Sequence, residues 1–253
     1  MSGNKLLSMK LQQPSTYWEN TYDIDELISE ELFRSGKEIH VWQSTLENCP
    51  DHLYTLSTDE RNKAERFRNP ANQHRYMASH SILRFILAKY SGCDAAALQF
   101  ETNTYGKPFL ANYNEKYKIH FNMTHSENRA CYIISINKEV GIDIEYIKEK
   151  FDWSNIASSF FSSQEVLQVK SLPLVDQVQA FYSLWTRREA LLKAYGTGLS
   201  SIDYLSEKEE FFSMFKEFLP VSFNFDEYYQ GALAFKGEPP LIKFFEFRLT
   251  SWI

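Results

Sequence analysis

The chain has 253 residues, of which 43% are hydrophobic and 16% aromatic, and this composition excludes a disordered protein. Its length allows one compact unit or two modest halves with a sizeable core. The formal net charge of -6 argues against a surface built broadly for nucleic-acid backbones, because that affinity comes mainly from Lys and Arg.

The first part of the chain reads as an extension followed by helices and strands. Residues 1–36 lack a sustained period and are interpreted as an N-terminal extension with one short helix. Ser57 and Glu60 have the spacing of a capping box, and Gly92 follows a stretch with helical spacing, where a C-terminal cap belongs. The predicted elements are helices over 23–33, 58–68 and 71–91 and strands over 38–44, 98–100, 119–123 and 131–136.

The second part begins with a predicted strand over 140–145, becomes helical, and returns to aromatic-rich alternation near its end. The longest helical stretch, 174–195, ends at the Gly196-Thr197-Gly198 breaker. Both parts are therefore expected to pack helices on an antiparallel sheet, an α+β fold. The other predicted elements are helices over 154–161, 163–172 and 206–219 and strands over 221–226, 231–235 and 241–249.

The cysteines and the hydropathy pattern bear on the compartment. Cys49, Cys93 and Cys131 are far apart and have neither a CxxC pair nor zinc-ligand spacing. The N-terminus has no apolar run long enough for a signal peptide, and no segment has the ~20 apolar residues needed to span a bilayer. We therefore expect a cytoplasmic protein with reduced thiols and no membrane contact.

Asp143 and Glu145 are the first candidate functional residues. They lie two apart in a predicted strand, so both carboxylates project from one face while Ile142 and Ile144 occupy the other. Two carboxylates beside a diphosphate are a ligand set that suits Mg2+. The alternative is a half-buried strand with a solvated acidic face.

A second candidate group lies on the predicted helix over 174–195. Trp185, Glu189 and Lys193 recur every four residues and share one stripe. An acid and a base on one stripe can serve a metal and a phosphate together. The alternative is an ordinary exposed Glu-Lys pair, worth about 0.3 to 0.5 kcal/mol.

Two polar segments and two basic residues complete the candidates. The segment Asn122-Met123-Thr124-His125-Ser126 offers hydroxyls and an imidazole, and Gly106-Lys107-Pro108 holds a cation on a turn. Lys63 and Arg75 add positive charge on the early helices. Each also has a simpler interpretation, as a hydrogen-bonding turn or a solvated helix face.

The order of these segments resembles that of the Sfp-type 4'-phosphopantetheinyl transferases. Each segment alone is weak, but their joint occurrence in this order is specific, and it covers residues 53–201. Thr124 replaces the serine usual in that family, and Arg188 replaces a frequent lysine. The matching segments are Gly106 to Pro108, Phe121 to Ser126, Gly141 to Glu145, Phe160 to Ser162 with Glu165, Trp185 to Lys193, and Gly196 to Leu199.

The resemblance implies a pseudo-twofold pair of similar α+β halves, each with helices packed on an antiparallel sheet. The coenzyme would lie in the cleft between the halves. The implied organisation is an N-terminal extension, 1–36, an N-terminal half, 37–138, and a C-terminal half, 139–253, that carries the magnesium ligands.

The resemblance also assigns roles to residues in the cleft. Asp143, Glu145 and Glu189 would hold Mg2+ beside the pyrophosphate of coenzyme A. Lys193 would contact the phosphates or help in proton handling. Glu189, Glu165 or a water molecule on the metal could take the proton of the attacking serine. The coenzyme-binding residues would be Lys107 and Pro108 near the adenine and Lys63, Arg75, Thr124, His125 and Lys193 around the phosphates.

The implied activity moves the 4'-phosphopantetheine arm of coenzyme A to a serine of an apo acyl or peptidyl carrier protein and releases adenosine 3',5'-bisphosphate. We expect a magnesium-dependent monomer. Two other functions stay open, a non-catalytic coenzyme A-binding module and a magnesium-dependent hydrolase of coenzyme A or related pyrophosphates. The choice among carriers of fatty-acid, polyketide, peptide or lysine-related synthesis also stays open.

Overall fold

The computed structural model describes residues 18–20, 31–47, 49, 55–111, 117–197 and 211–248. Its helices are α1 (Glu31–Arg34), α2 (Thr58–Ala64), α3 (Pro70–Ser91), α4 (Ser154–Phe160), α5 (Ser163–Lys170), α6 (Leu174–Tyr195) and α7 (Phe211–Met214). Its strands are β1 (Trp18–Asn20), β2 (Glu38–Thr45), β3 (Phe100–Thr102), β4 (Pro108–Leu110), β5 (Ile119–Ser126), β6 (Arg129–Ile136), β7 (Val140–Tyr146), β8 (Phe218–Asn224), β9 (Tyr229–Lys236) and β10 (Leu241–Glu246).

The first half packs α3 on a five-stranded sheet with the order β1-β10-β2-β6-β5. Helix α3 begins at Pro70, whose missing N–H costs nothing in a first turn, and ends at Gly92 in the left-handed conformation. The predicted capping box of Ser57 and Glu60 starts α2 and is confirmed. The core between α3 and the sheet includes Trp42, Ile82, Leu83, Ile86, Leu87 and Tyr132.

The second half packs α6 on a three-stranded antiparallel sheet with the order β7-β9-β8. Helices α3 and α6 both have 22 residues, and both end at a glycine with positive φ, Gly92 and Gly196. Each half is thus one long helix on one sheet. The predicted α+β pair of halves is confirmed.

Strand β10 departs from the predicted division into halves. It inserts between β1 and β2 and pairs with both in parallel, so the chain returns to the first sheet at its end. Phe244 and Phe245 point to opposite faces, and both are buried, as expected of a strand inside a sheet. Residues 241–246 therefore belong to the first sheet and not with the rest of 139–253. Strand β1, which lies within the predicted extension 1–36, forms an edge of the same sheet.

The predicted helix over 206–219 is not found in the part that the structure describes, which begins at residue 211. There the chain forms the short helix α7 and then enters β8. Pro220 lies within β8 and does not stop a helix, because β8 is an edge strand, where a missing N–H is tolerated. Within the described ranges, no helix has the length and apolar character needed to cross a membrane.

Candidate active site between the two sheets

The two sheets meet where β5 lies beside β7, and hydroxyl groups of β5 hold the carboxylates of β7. Thr124 Oγ1 donates a hydrogen bond to Asp143 Oδ1 at 3.2 Å. Ser126 Oγ donates to Glu145 Oε2 at 3.0 Å. Two separate sequence segments, each predicted to be functional, therefore lie in direct contact.

Helix α6 lies close to β7 because of one glycine. A Cβ atom on Gly141 would lie 2.2 Å from Ala190 O and 2.3 Å from Ala194 N, so no residue with a side chain fits there. Ala190 and Ala194, four residues apart on α6, are buried at this contact. The contact places the carboxylates of β7 next to the turn of α6 that carries Glu189 and Lys193.

Lys193 supplies the positive charge that meets these carboxylates. Its Nζ donates to Asp143 Oδ1 at 2.7 Å, and the Asp143 side chain is buried. Asp143 Oδ2 and Glu189 Oε1 are buried and have no hydrogen-bond partner among the described residues. Because an unpaired buried carboxylate oxygen is costly, these two atoms have the capacity to bind a further cation.

The acidic cluster, which we define as Asp143, Glu145 and Glu189, resists full ionisation. Burial raises the pKa of Asp143, and Lys193 opposes the shift. Burial and the charge of Asp143 raise the pKa of Glu145. Burial and the charges of Asp143 and Glu145 raise the pKa of Glu189 to about 7, although Lys193 lowers it. The carboxyl groups of β7 and α6 are therefore close enough to repel one another.

The acidic cluster fits a divalent cation in charge and donor type, but it is not a preassembled cage. Among the residues that the structure describes, no three His, Cys, Asp or Glu side chains are arranged to hold a metal ion. Mg2+ commonly uses one or two carboxylates and keeps several waters, so a complete protein cage is not required. The hard oxygen donors and the two unpaired oxygens make the fit chemically reasonable.

Basic side chains lie near the acidic cluster. Loss of solvent and the charges of Lys193 and Arg75 lower the pKa of His125, which places these three groups near one another. Arg75 is oriented by Asn128 Oδ1, at 2.9 Å from Nε, and by Glu127 Oε2, at 3.3 Å from Nη2. Three predicted coenzyme-binding residues are thus neighbours beside the acidic cluster.

His80 is a further basic group of this region that sequence patterns did not indicate. Its Nδ1 lies 2.9 Å from Tyr76 O, and its ring packs on the Tyr76 ring at 3.9 Å between centroids. Lys63 Nζ lies 5.3 Å from the centroid of the same Tyr76 ring. Burial, with Lys63 and His125, lowers the pKa of His80 to about 4, while Glu60 opposes the shift.

The depressed pKa of His80 predicts a loss of stability in acid. The unfolded chain takes up a proton near pH 6.5, whereas the folded protein does so only near pH 4, so the free energy of unfolding falls as the pH drops between these values. In His80→Gln we expect the free energy of unfolding to fall by roughly 2 kcal/mol less over this pH range than in the wild type, at about 1.4 kcal/mol per pKa unit. Urea unfolding at about pH 7 and pH 4.5 measures the difference, and an equal fall in both proteins would contradict it.

Lys107 lies where the two halves join. Its Nζ donates to Val140 O at 3.0 Å and to Ala194 O at 2.9 Å, and burial lowers the pKa of Lys107 to about 8. Pro108 follows directly and begins β4. Contact of Lys107 and Pro108 with an adenine stays a prediction, whereas the tie between the halves was not indicated by the sequence.

Lys107→Met is expected to lower the free energy of unfolding by roughly 2 kcal/mol, because it leaves two partly buried carbonyl oxygens without their donor. Urea unfolding measures the loss. Lys170→Met, a change of the same type at an exposed helix end, serves as the control. A variant as stable as the control would show that Lys107 does not tie the halves together.

Glu165 is engaged by groups outside the acidic cluster. Its Oε2 accepts hydrogen bonds from Ser162 N and Oγ, both at 2.8 Å, in the capping box of α5. The same oxygen lies 2.5 Å from Arg188 Nη2, and Arg188 stacks over the Phe211 ring at 4.2 Å. Glu165 is not among the charges that shift the pKa of Glu189. This geometry favours a positioning role over proton transfer for Glu165.

Both halves match known protein families. Residues 139–233 match the 4'-phosphopantetheinyl transferase superfamily. Residues 40–136 match the family described as 4'-phosphopantetheinyl transferase, N-terminal. The two matches follow one another along the chain and meet near the crossover between β6 and β7.

Curated relatives extend this similarity. The 4'-phosphopantetheinyl transferase HetI of Nostoc sp. (strain PCC 7120) is 34% identical over 170 residues, which cover 66% of this chain and 72% of HetI. The 4'-phosphopantetheinyl transferase Sfp of Bacillus subtilis (strain 168) is 31% identical over 145 residues, which cover 57% of this chain and 62% of Sfp. With both halves matched in order, the chain belongs to the 4'-phosphopantetheinyl transferase superfamily and is of the Sfp type.

Proposed function

We propose that this transferase uses Mg2+ to move the 4'-phosphopantetheine arm of coenzyme A to a serine of an apo acyl or peptidyl carrier protein. The serine oxygen forms a new bond to the β-phosphorus, the pyrophosphate bond breaks, and adenosine 3',5'-bisphosphate leaves. The observation that carries the proposal is the acidic cluster, whose carboxyl groups raise one another's pKa and include two unpaired buried oxygens.

Asp143, Glu145 and Glu189 are the proposed magnesium ligands. Burial and mutual repulsion oppose their ionisation, and a divalent cation would offset both effects. When bound, the ion would neutralise charge that develops on the pyrophosphate. The hydroxyl groups of Thr124 and Ser126 orient the two strand carboxylates for this task.

The region beside the acidic cluster is the proposed coenzyme site. His125, Arg75 and Lys193 lie near one another there, and Lys63 adjoins them through the His80 region. A local basic region is required because the chain as a whole carries a net charge of -6. The proposed coenzyme-binding residues are Lys63, Arg75, Thr124, His125 and Lys193 for the phosphates and Lys107 and Pro108 for the adenine.

A water molecule at the site is the proposed acceptor of the serine proton. Glu189 is proposed only as a metal ligand, because a bound cation would lower its pKa from about 7. Lys193 would hold the phosphate charge on the other side of the site. For Glu165 we propose a positioning role, in which its ion pair with Arg188 fixes the turn of α6 that carries Glu189.

A cytoplasmic monomer is part of the same proposal. Cys49, Cys93 and Cys131 are free thiols, which suits a reducing compartment. The monomer is proposed because one chain supplies both sheets and all the residues of the proposed coenzyme site. Size-exclusion chromatography with light scattering tests this state.

Mass spectrometry of the carrier tests the proposed function. The full chain is incubated with coenzyme A, Mg2+ and an apo-carrier, and we expect the carrier to gain the mass of the phosphopantetheine arm. Chelation with EDTA should abolish the gain, and added Mg2+ should restore it. Breakdown of coenzyme A without a carrier would indicate a hydrolase, and binding without turnover would indicate a non-catalytic module; either result contradicts the proposal.

A further inference from the structure

The two sheets meet along a pair of edge strands that are joined by side chains. Strand β5 is an edge of the first sheet and β7 is an edge of the second. Within the described ranges, no backbone hydrogen bond joins β5 to β7. An unpaired strand edge presents N–H and C=O groups that need other partners. Here side chains of β5 supply some of these partners.

Three polar side chains of β5 alternate along the strand and therefore share one face. We call them the polar seam, which consists of Asn122, Thr124 and Ser126. The hydroxyl groups of the seam donate hydrogen bonds to the carboxylates of β7. Ser126 Oγ also accepts a hydrogen bond from Tyr146 N at 3.1 Å. The polar seam therefore holds both the side chains and the backbone of β7.

Asn122 holds the backbone of β7 directly before Asp143. Its Oδ1 accepts a hydrogen bond from Ile142 N at 3.0 Å. Ile142 is fully buried, and the Asn122 side chain is buried as well, so water has no room to replace this acceptor. Asn122 differs in this respect from Thr124, which contacts the carboxylate itself.

The backbone before Asp143 is thus fixed from two sides. Gly141 lies against the backbone of α6, and Ile142 N is held by Asn122. Without the Asn122 oxygen, a buried N–H would lack a partner, which is costly. Strand β7 could recover a partner by pairing directly with the backbone of β5, at a spacing of about 4.8 Å between strands. That movement would draw Asp143 away from α6 and from the other carboxylates.

We propose that Asn122 is a positioning residue of the acidic cluster, which fixes the direction of the Asp143 carboxylate by holding Ile142 N. The inference rests on the proposed function, because the acidic cluster is the proposed Mg2+ site. Asn122 acts through the backbone of β7 and touches neither the metal nor the coenzyme. A hydrogen bond with only a structural role would affect stability, whereas a positioning role also affects the affinity for Mg2+.

Titration of the full chain with Mg2+ alone, followed by the melting temperature, measures this affinity, because a ligand of the folded state raises the melting temperature. Asn122→Leu removes the acceptor at similar size, and we expect its affinity for Mg2+ to fall at least about tenfold, since small displacements have large effects. Asn122→Asp keeps an acceptor oxygen at the same place, so its affinity should fall less than about threefold.

Ser135→Ala is the matched control. It removes another buried hydrogen bond from a side chain to the backbone, from Ser135 Oγ to Lys138 O. Ser135 lies opposite His120, four residues along β5 from Thr124 and thus roughly 13 Å away from it. This variant should be less stable than the wild type but should bind Mg2+ with unchanged affinity.

Three results would overturn the proposal. They are wild-type affinity in Asn122→Leu, equal weakening in Asn122→Leu and Asn122→Asp, and equal weakening in Asn122→Leu and Ser135→Ala. A wild-type protein that does not respond to Mg2+ would refute the proposed metal site, and the role of Asn122 with it. If Asn122→Leu does not fold, Asn122→Ser takes its place with the same expectations, because its hydroxyl is too short to reach Ile142 N and leaves room for water.

Discussion

Asp143→Asn is expected to reduce carrier loading by about three orders of magnitude, equivalent to roughly 4 kcal/mol in the transition state. The amide keeps the size of the side chain but removes the negative charge that meets Lys193 Nζ at 2.7 Å and that we propose meets Mg2+. The rate of mass gain of an apo-carrier at saturating coenzyme A measures the loss. The fall should appear at saturation, because the lost interaction is one that strengthens as the pyrophosphate bond breaks.

A second readout separates loss of the metal from loss of the fold. Mg2+ should raise the melting temperature of the wild-type protein, because a ligand that binds only the folded state stabilises it. It should raise that of Glu149→Gln, an exposed carboxylate near β7, to the same extent. Asp143→Asn should show no such rise. Loading at the wild-type rate, or an unchanged effect of Mg2+ on melting, would refute the assignment of Asp143.

Gly141→Ala is expected to destabilise the protein by about 3 kcal/mol or more, the upper range for overpacking a buried contact. The new methyl group would lie 2.2 Å from Ala190 O and 2.3 Å from Ala194 N, and both atoms belong to the backbone of α6, which cannot rotate away. Strand β7 and helix α6 must therefore separate. Urea unfolding measures the loss of stability.

The same separation should impair loading beyond the loss of folded protein. Asp143 and Glu189 lie on the two elements that would be forced apart, and proximity effects fall steeply with small displacements. Activity is therefore measured on the folded fraction, where we expect at least a tenfold fall. Gly92→Ala is the control, because its Cβ would meet no atom within 4 Å and only the positive φ of 70° opposes it. A Gly141→Ala protein as stable as this control would contradict the close-packing explanation.

The long elements were predictable because their periodic patterns end at clear signals. Helix α6 has the predicted bounds, and α3 begins one residue earlier than predicted. The ends of both helices were predictable because a glycine in the left-handed conformation follows each. Strands β5, β6 and β7 were found within about three residues of their predicted ends. The short strand β4 was missed, because three residues carry too little alternation to distinguish a strand from a turn.

The candidate site was predictable in its composition but less so in its geometry. The alternation of Asp143 and Glu145 and the spacing of Glu189 and Lys193 were readable, and the structure brings these four residues together. The sequence contained one indication of the close contact at Gly141. A glycine stands beside the strand carboxylates, and two small residues lie four apart on a later helix. Its meaning depended on knowing that the two backbones touch.

Sequence by itself determined the candidate functional residues, the order of their segments, the family, and the two long helices, because those properties depend on residue type and local period. Only the tertiary structure decided that β10 returns to the first sheet, that Lys107 ties Val140 to Ala194, and that Glu165 pairs with Arg188. These contacts join residues far apart in the chain. Which partners meet depends on how two backbones approach in the folded core, and no local pattern encodes that distance.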